Sequence, residues 1–457
     1  MLRLAFAALR RDFAPVLPAA PLLRGDPIPL LYCKGCRYAP SPMTQTADKI
    51  HRHLLACLTR PVPADTAAAC DALSAAEWQE LRDIARIQRI SALFHTRLHR
   101  FEGGHPQMPP TLREELATGF RERTMHNLFL FAEFRKIAEA LQARDIPVVV
   151  LKGMHLAAAV YGEIGMREME DMDILVPRDR LQAAADTLGA LGYVSKEPLD
   201  VEFWAQKQHH LPRLRNASNT VVEVHWSVTW PGDSRALSDL EDLWTRAQPL
   251  TIAGCEVLGL SPEDLLLHLC IHASFQHMFY TGLRPICDLD ATIRCYQAEM
   301  DWRLVCRLAR QRQWQTGVRL MLHLTQHCLH TRIPILVWQE LQPAQDEAAL
   351  AAAYRMLWTI DSDVSALPRN LATLWNRPNL LLRIWDLLKA LVPNRFKIAK
   401  EYGLSARSPL VWLYVPRYKI DLLRKHSKAF RQLQRSDPAT REMALNKSTL
   451  MDWLYQD

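Results

Sequence analysis

Glycine is scarce, at 16 residues in 457. With abundant Leu and Ala, that scarcity points toward a mostly helical chain. No stretch reaches about 18 uncharged apolar residues, which excludes a membrane-spanning helix. No period recurs along the chain, which excludes a repeat architecture. No arginine-rich tail or block is present. The net charge of +7 is therefore a mild bias. It is compatible with a nucleotide or polyanion and does not establish nucleic-acid binding. A secretory h-region is also missing, because Arg10, Arg11 and Asp12 interrupt the basic, apolar N-terminus. Residues 1–45 are left as a loosely structured extension, a docking arm or an overlong gene start. The expected compartment is the cytoplasm.

Cysteine is present but forms no staple pattern. Ten occur, and a chain this long does not need disulfides. They read as mostly reduced and many as buried. Cys33 and Cys36 make a CxxC without a second pair, and His51 and His53 are the nearest helpers, so structural zinc is the weaker reading.

Hydrophobic residues make up 49% and charged residues 23%, an ordinary globular mix, and the length suits two or three domains. Apolar residues recur at helical spacing over 46–144, with Ser74 and Glu77 spaced as a capping box. The period then changes. IPVVVLKG at 146–153 reads as a buried strand, MHLAAAVYG as a helix and EIGMREME as a loop. DMDILV reads as a second strand and 179–193 as a helix. NTVVEVHWSV at 219–228 reads as a further strand, with a weaker one near 209–215. Helices return from Ser261, a predicted cap. The segments are an extension (1–45), a helical region (46–144), an α/β domain (145–258), a helical bundle on the substrate side (259–337) and a helical C-terminal region (338–457).

Side chains alternate along a strand, so Asp171 and Asp173 share one face while Met172 and Ile174 face the core. Two carboxylates this close repel, and a divalent cation, magnesium by preference, is the usual compensation. Glu223 and His225 share a face of the later strand. If that strand neighbours DMDILV, Glu223 completes a three-carboxylate metal site. LKG ends a strand and opens a helix, whose free N–H groups suit a triphosphate. Gly153 permits close approach, and Lys152 and Arg167 supply positive charge. A solvated strand end is the plainer reading of the acids alone.

The combination resembles the nucleotidyltransferase superfamily typified by DNA polymerase beta. It is closer to a broad bacterial group of nucleotidyltransferase family proteins of uncharacterised function. The residues carrying the likeness are LKG at 151–153, Tyr161, GMR at 165–167, DMDILV at 171–176 and EVHW at 223–226. The clear match covers about 145–228 and a weaker one runs to about 335. The resemblance implies an α+β fold: a small polymerase-beta-like nucleotidyltransferase sheet domain embedded in a predominantly helical protein. It implies Mg2+ held by Asp171, Asp173 and Glu223, with Lys152, Gly153, Arg167 and His225 around the nucleotide. The expected reaction transfers a nucleoside monophosphate from a nucleoside triphosphate, ATP by default, to an unidentified acceptor. Glu223 is a candidate to deprotonate that acceptor. His225 is a candidate for contact with phosphate, acceptor or a neighbouring acid, or a structural histidine beside Trp226. Two residues depart from the pattern: Met154 where a second small residue is usual, and Glu223 where Asp is common.

Two other classes fit the same residues: a non-catalytic nucleotide-binding or scaffolding protein, and a toxin acting on RNA or protein. His268 and His272 lie four apart on one predicted helix without the Glu of a zinc-protease motif, which favours packing or substrate contact. Arg284 and Asp288 are spaced for an intrahelical ion pair or a base or sugar contact. The basic stretch from Leu413 reads as a solvated helix face, with RNA or a membrane surface as further partners.

Overall fold

The computed structural model describes residues 45–63, 65–99, 108–229, 241–341 and 347–359. In the C-terminal region it describes 398–399, 401–404, 408–418, 420–421, 424 and 438–455. The CxxC, the helix expected over 378–391 and most of that expected over 417–433 lie outside these residues. The eight described cysteines are free thiols, and all but Cys295 are buried.

Helix α1 (Gln45–Leu58) precedes α2 (Ala75–Ile87), α3 (Ser91–Leu98) and α4 (Pro110–Gln142). The predicted capping box starts α2: Ser74 Oγ accepts from Glu77 N–H, and the Glu77 carboxylate accepts from Ser74 N–H at 2.8 Å. Pro110 opens α4, where its missing N–H costs nothing. The later turns of α4 carry Leu130, Phe134, Ile137 and Leu141 at helical spacing, and this face packs on the sheet.

The sheet has seven strands: β1 (Val149–Val150), β2 (Met172–Leu175), β3 (Val194–Ser195), β4 (Leu214–Arg215), β5 (Val221–His225), β6 (Gln248–Ile252) and β7 (Cys255–Gly259). Their order is β3-β4-β5-β2-β1-β7-β6. The pairs β2–β5 and β1–β7 are parallel, and the others antiparallel. Strand alternation sorts the two faces. Val150, Met172, Ile174, Val222 and Val224 join α4 in one core. Val149 and Leu175 face the other core, built largely by the helices after residue 261. The β6–β7 hairpin carried no turn signature beyond Gly254. It turns on Ala253 and Gly254, both at positive φ (53° and 78°), as a tight antiparallel turn requires.

Between strands, α5 (Lys152–His155) runs on into a π-helical turn (Leu156–Val160), and α6 (Leu181–Ala190) and α7 (Val201–Lys207) follow. Beyond the sheet come α8 (Pro262–Ile271) with a second π-helical turn (His272–Gln276), α9 (Arg284–Cys295), α10 (Trp302–Gln311) and α11 (Gln315–Leu329). Ser261 caps α8, accepting from Asp264 N–H, as its sequence position predicted. No described helix is long and apolar enough to cross a membrane.

Helix α11 approaches the second π-turn closely at Gly317. A Cβ there would lie 2.4 Å from Phe275 Cε2 and 2.5 Å from Ser274 Oγ. Both neighbours are buried, so neither side chain can swing away. Gly317→Ala is expected to destabilise the protein by about 1–3 kcal/mol, as overpacking does, despite the better helix propensity of Ala. Thermal unfolding of the variant checks this; an unchanged or raised midpoint would show that the two elements separate freely.

Candidate active site

The register of β2 and β5 assembles the acids. Asp173 pairs with Glu223, and Leu175 with His225. Residues 173, 223 and 225 therefore project from one face, toward the helical bundle. His225 Nε2 lies 2.9 Å from Asp173 Oδ1 and 3.7 Å from Glu223 Oε2. All three side chains are buried, and their ligand atoms lie within 4.8 Å of one another. Two carboxylate oxygens and an imidazole nitrogen at that spacing suit one divalent cation.

Asp171 stands at the rim, one residue before β2. It is outside that mutually close group, and its Oδ2 lies 3.6 Å from Arg213 Nη2. The arrangement thus brings His225 to the centre, where the sequence pointed to Asp171.

Two cations face the carboxylates. Lys152 Nζ donates to Asp173 Oδ1 at 2.9 Å. Its backbone is left-handed, with φ 47°, at the junction of β1 and α5. That conformation costs a non-glycine residue roughly 1–2 kcal/mol. Arg213 Nε donates to Glu223 Oε1 at 2.6 Å. Burial alone would raise the Asp173 carboxyl, but Lys152 and His225 hold it well below the usual range. Glu223 is pulled down to about 2 against its burial, chiefly by His225, so it stands as an anion and a weak proton acceptor. Asp171 lies farther from the cations. Burial, then Asp173 and Glu223, push it up to about 6.

Gly153 meets the loop that carries Arg167: a Cβ would sit 3.1 Å from Met169 Cγ. Met154, the residue that departs from the family pattern, is buried in the core beneath the sheet and does not line the cavity. Its bulk therefore leaves the cavity wall untouched. Arg167 lines the cavity, but its charge is matched: Nε donates to Asp288 Oδ1 at 2.8 Å, and Tyr161 OH donates to the same oxygen at 2.8 Å. Asp288 therefore bonds across the fold rather than to Arg284 on its own helix.

The cavity in front of these residues holds about 690 Å3, within the range of small-molecule sites. His272, a candidate for substrate contact from its sequence position, lines it, while His209, His210 and Arg213 were not foreseen as its walls. Asn216 and Asn219 turn the chain between β4 and β5, with Leu214 opposite Val222, and this register sets Arg213 beside Glu223. His268 lies behind the wall with both ring nitrogens buried and unpartnered. Burial, then Lys152 and His225, lower it to about 3, so it is neutral at physiological pH. No group of three or more metal-ligating side chains among the described residues includes His268 or His272.

His155, buried against Gly259 of β7, makes the fold acid-sensitive. Burial lowers its pKa to about 4 from an ordinary 6.5. Below pH 6.5 the unfolded chain takes up this proton and the native chain does not. The stabilisation is complete above pH 6.5 and is lost as pH falls toward 4, by roughly 3 kcal/mol in all. His155→Leu is expected to lessen the slope of the stability profile across that window, with His268 supplying part of what remains, measured by urea unfolding at pH 7 and 4.5. An unchanged slope would assign the acid sensitivity elsewhere.

A family described as uncharacterised nucleotidyltransferase matches residues 74–330, more than half of the chain. The chain belongs to this family. Solved structures similar to this nucleotidyltransferase family member are few and distant. The antibiotic-resistance factor ANT(2'')-Ia shares 15% identity over 44% of this chain and 98% of that one, at a TM-score of 0.30. Its complex with adenylyl-2''-tobramycin gives 15%, 42%, 97% and 0.29. An antigenic nucleotidyltransferase-like protein from Paracoccidioides brasiliensis gives 17%, 42%, 92% and 0.26. No curated protein matches the sequence. Family membership and the candidate metal triad together support a metal-dependent activity of the nucleotidyl-transfer type.

Proposed function

We propose that the protein transfers a nucleoside monophosphate from a nucleoside triphosphate to a small acceptor in this cavity. The observation that carries the reading is the convergence of Asp173, Glu223 and His225 from two parallel strands. An acceptor hydroxyl attacks the α-phosphorus. The new O–P bond forms as the α–β anhydride bond breaks, pyrophosphate leaves with the electron pair, and the hydroxyl proton passes to a base.

Asp173 and Glu223 would hold magnesium or manganese, with Asp171 at the rim as the further candidate acid. The bound ion supplies charge neutralisation at the phosphates. His225 holds the Asp173 carboxylate in place through its 2.9 Å hydrogen bond, a positioning role that ligating acids commonly require. Lys152, fixed by its left-handed backbone, adds positive charge on the triphosphate side. Arg167, paired with Asp288, fixes the loop over Gly153 and so shapes the phosphate approach. A cavity of about 690 Å3 walled by helices favours a small acceptor over an RNA end. ATP is the default donor.

Purified protein incubated with Mg2+ or Mn2+, each α-labelled nucleoside triphosphate and cell extract tests this directly. Transfer of label is expected, and its loss in folded Asp171→Asn and Asp173→Asn proteins. Persistent transfer in both variants sinks the metal site. No transfer from any fraction, with no metal-dependent nucleotide binding, moves the protein to a scaffolding role.

A further inference from the structure

The helical side of the cavity contains a cation with no salt bridge. Arg284 opens α9 and lines the cavity. Its Nε is buried without a hydrogen-bond partner, and so is the Oγ1 of Thr281, three residues earlier on the same wall. The other arginines nearby are matched: Arg167 to Asp288 and Arg89 to Glu170. Asp288, one helical turn along from Arg284, is turned to Arg167 and Tyr161 instead.

Leaving a guanidinium Nε buried without a hydrogen-bond partner is costly, since buried polar groups are ordinarily matched. Burial, then Arg167, lower its pKa to about 10, which still leaves it charged at neutral pH. Arginine and a neighbouring hydroxyl are both donors, and a planar guanidinium fits the oxygens of a phosphate or carboxylate. Lys152 and Gly153 lie with the acids on the sheet side, leaving Arg284 and Thr281 facing from the bundle.

We propose that Arg284 and Thr281 form an oxyanion subsite that binds a phosphate or carboxylate of the acceptor. The assignment to the acceptor rests on the transfer reading above; the existence of an anion site does not. The acceptor is thus an anionic small molecule bearing a hydroxyl.

Calorimetric titration of the full chain with inorganic phosphate, without nucleotide or divalent metal and at fixed ionic strength, tests the subsite. Saturable binding is expected, weaker by at least about tenfold in Arg284→Gln and partly restored in Arg284→Lys, from the lost charge-assisted bonds. Thr281→Val is expected to weaken it less. Arg284 has no ion pair to lose, so these variants are expected to keep the wild-type thermal midpoint. Equal phosphate affinity in wild type, Arg284→Gln and Thr281→Val, or none in wild type, overturns the proposal. A second titration on protein saturated with Mg2+ and a non-hydrolysable α,β-analogue of ATP separates the two sources of the anion. Retained phosphate binding supports the acceptor. Competition overturns that assignment and gives the subsite to the terminal phosphates of the nucleotide. Because the first titration uses no nucleotide, absent transfer activity and an absent anion site are separate results.

Discussion

Asp173→Asn is expected to lower transfer by at least about 10²–10³-fold and to weaken Mn2+ binding in parallel. Asp173 is the point where the site's interactions meet: it accepts from Lys152 and His225 and lies in register with Glu223. The same change has a second consequence. Lys152 and Asp173 are both largely buried, with side-chain exposures of 14% and 6%, so removing the carboxylate charge strands an ammonium. Breaking such a pair from one side costs about 3–5 kcal/mol, well beyond the median surface salt bridge. Catalytic and structural losses are separable. Adding Lys152→Met to Asp173→Asn is expected to recover much of the stability and none of the transfer. Calorimetry with Mn2+ and thermal unfolding of the three proteins give the comparison. Recovered transfer in the double variant would show that Asp173 serves only to neutralise Lys152.

Asp288→Asn should be the most damaging change away from the acids. Its carboxylate, 3% exposed, carries Arg167 and Tyr161 together, and so ties the loop over Gly153 to α9 in the bundle. Loss of about 3–5 kcal/mol is expected, because the Arg167 guanidinium would stay buried without its counter-charge. The effect on transfer should be indirect, through a loosened loop. Thermal unfolding of Asp288→Asn, Arg167→Met and the double variant measures the coupling. A coupling energy of roughly 2 kcal/mol or more is expected for residues in direct contact. Simple additivity would mean that the pair is held by its surroundings rather than by each other.

Much of this site was legible before the fold. The alternation in DMDILV and EVHW separates acids from core residues without any knowledge of partners. The LKG elbow, the capping box at Ser74 and the cap at Ser261 are local signals, and local signals survive folding. What stayed hidden depended on pairing across the chain. Arg213 reaches Glu223 only because β4 and β5 form a hairpin in one register, and residues 209–215 showed a strand only weakly. The spacing of Arg284 and Asp288 suggested a pair within one helix. The structure instead gives Asp288 to Arg167, more than a hundred residues earlier, because the inward face of α9 meets the loop there. That long-range choice also left Arg284 facing the cavity. The left-handed backbone of Lys152 has no signature either, since lysine seldom adopts it.

Helix α5, which begins at the site, and helix α8, which ends at it, each run on into a π-helical turn, Leu156–Val160 and His272–Gln276. Such a turn holds one residue more than an α-helix would at the same place. The cavity wall at His272, Gln276 and His277 therefore behaves as the product of a one-residue insertion. Deleting a single residue there would restore the ordinary helical repeat, remove the bulged position and leave the chain beyond it in nearly the same place. What that wall presents to the cavity is thus set by residue count as much as by residue identity, and a length variant reshapes it locally where a substitution would only change one side chain.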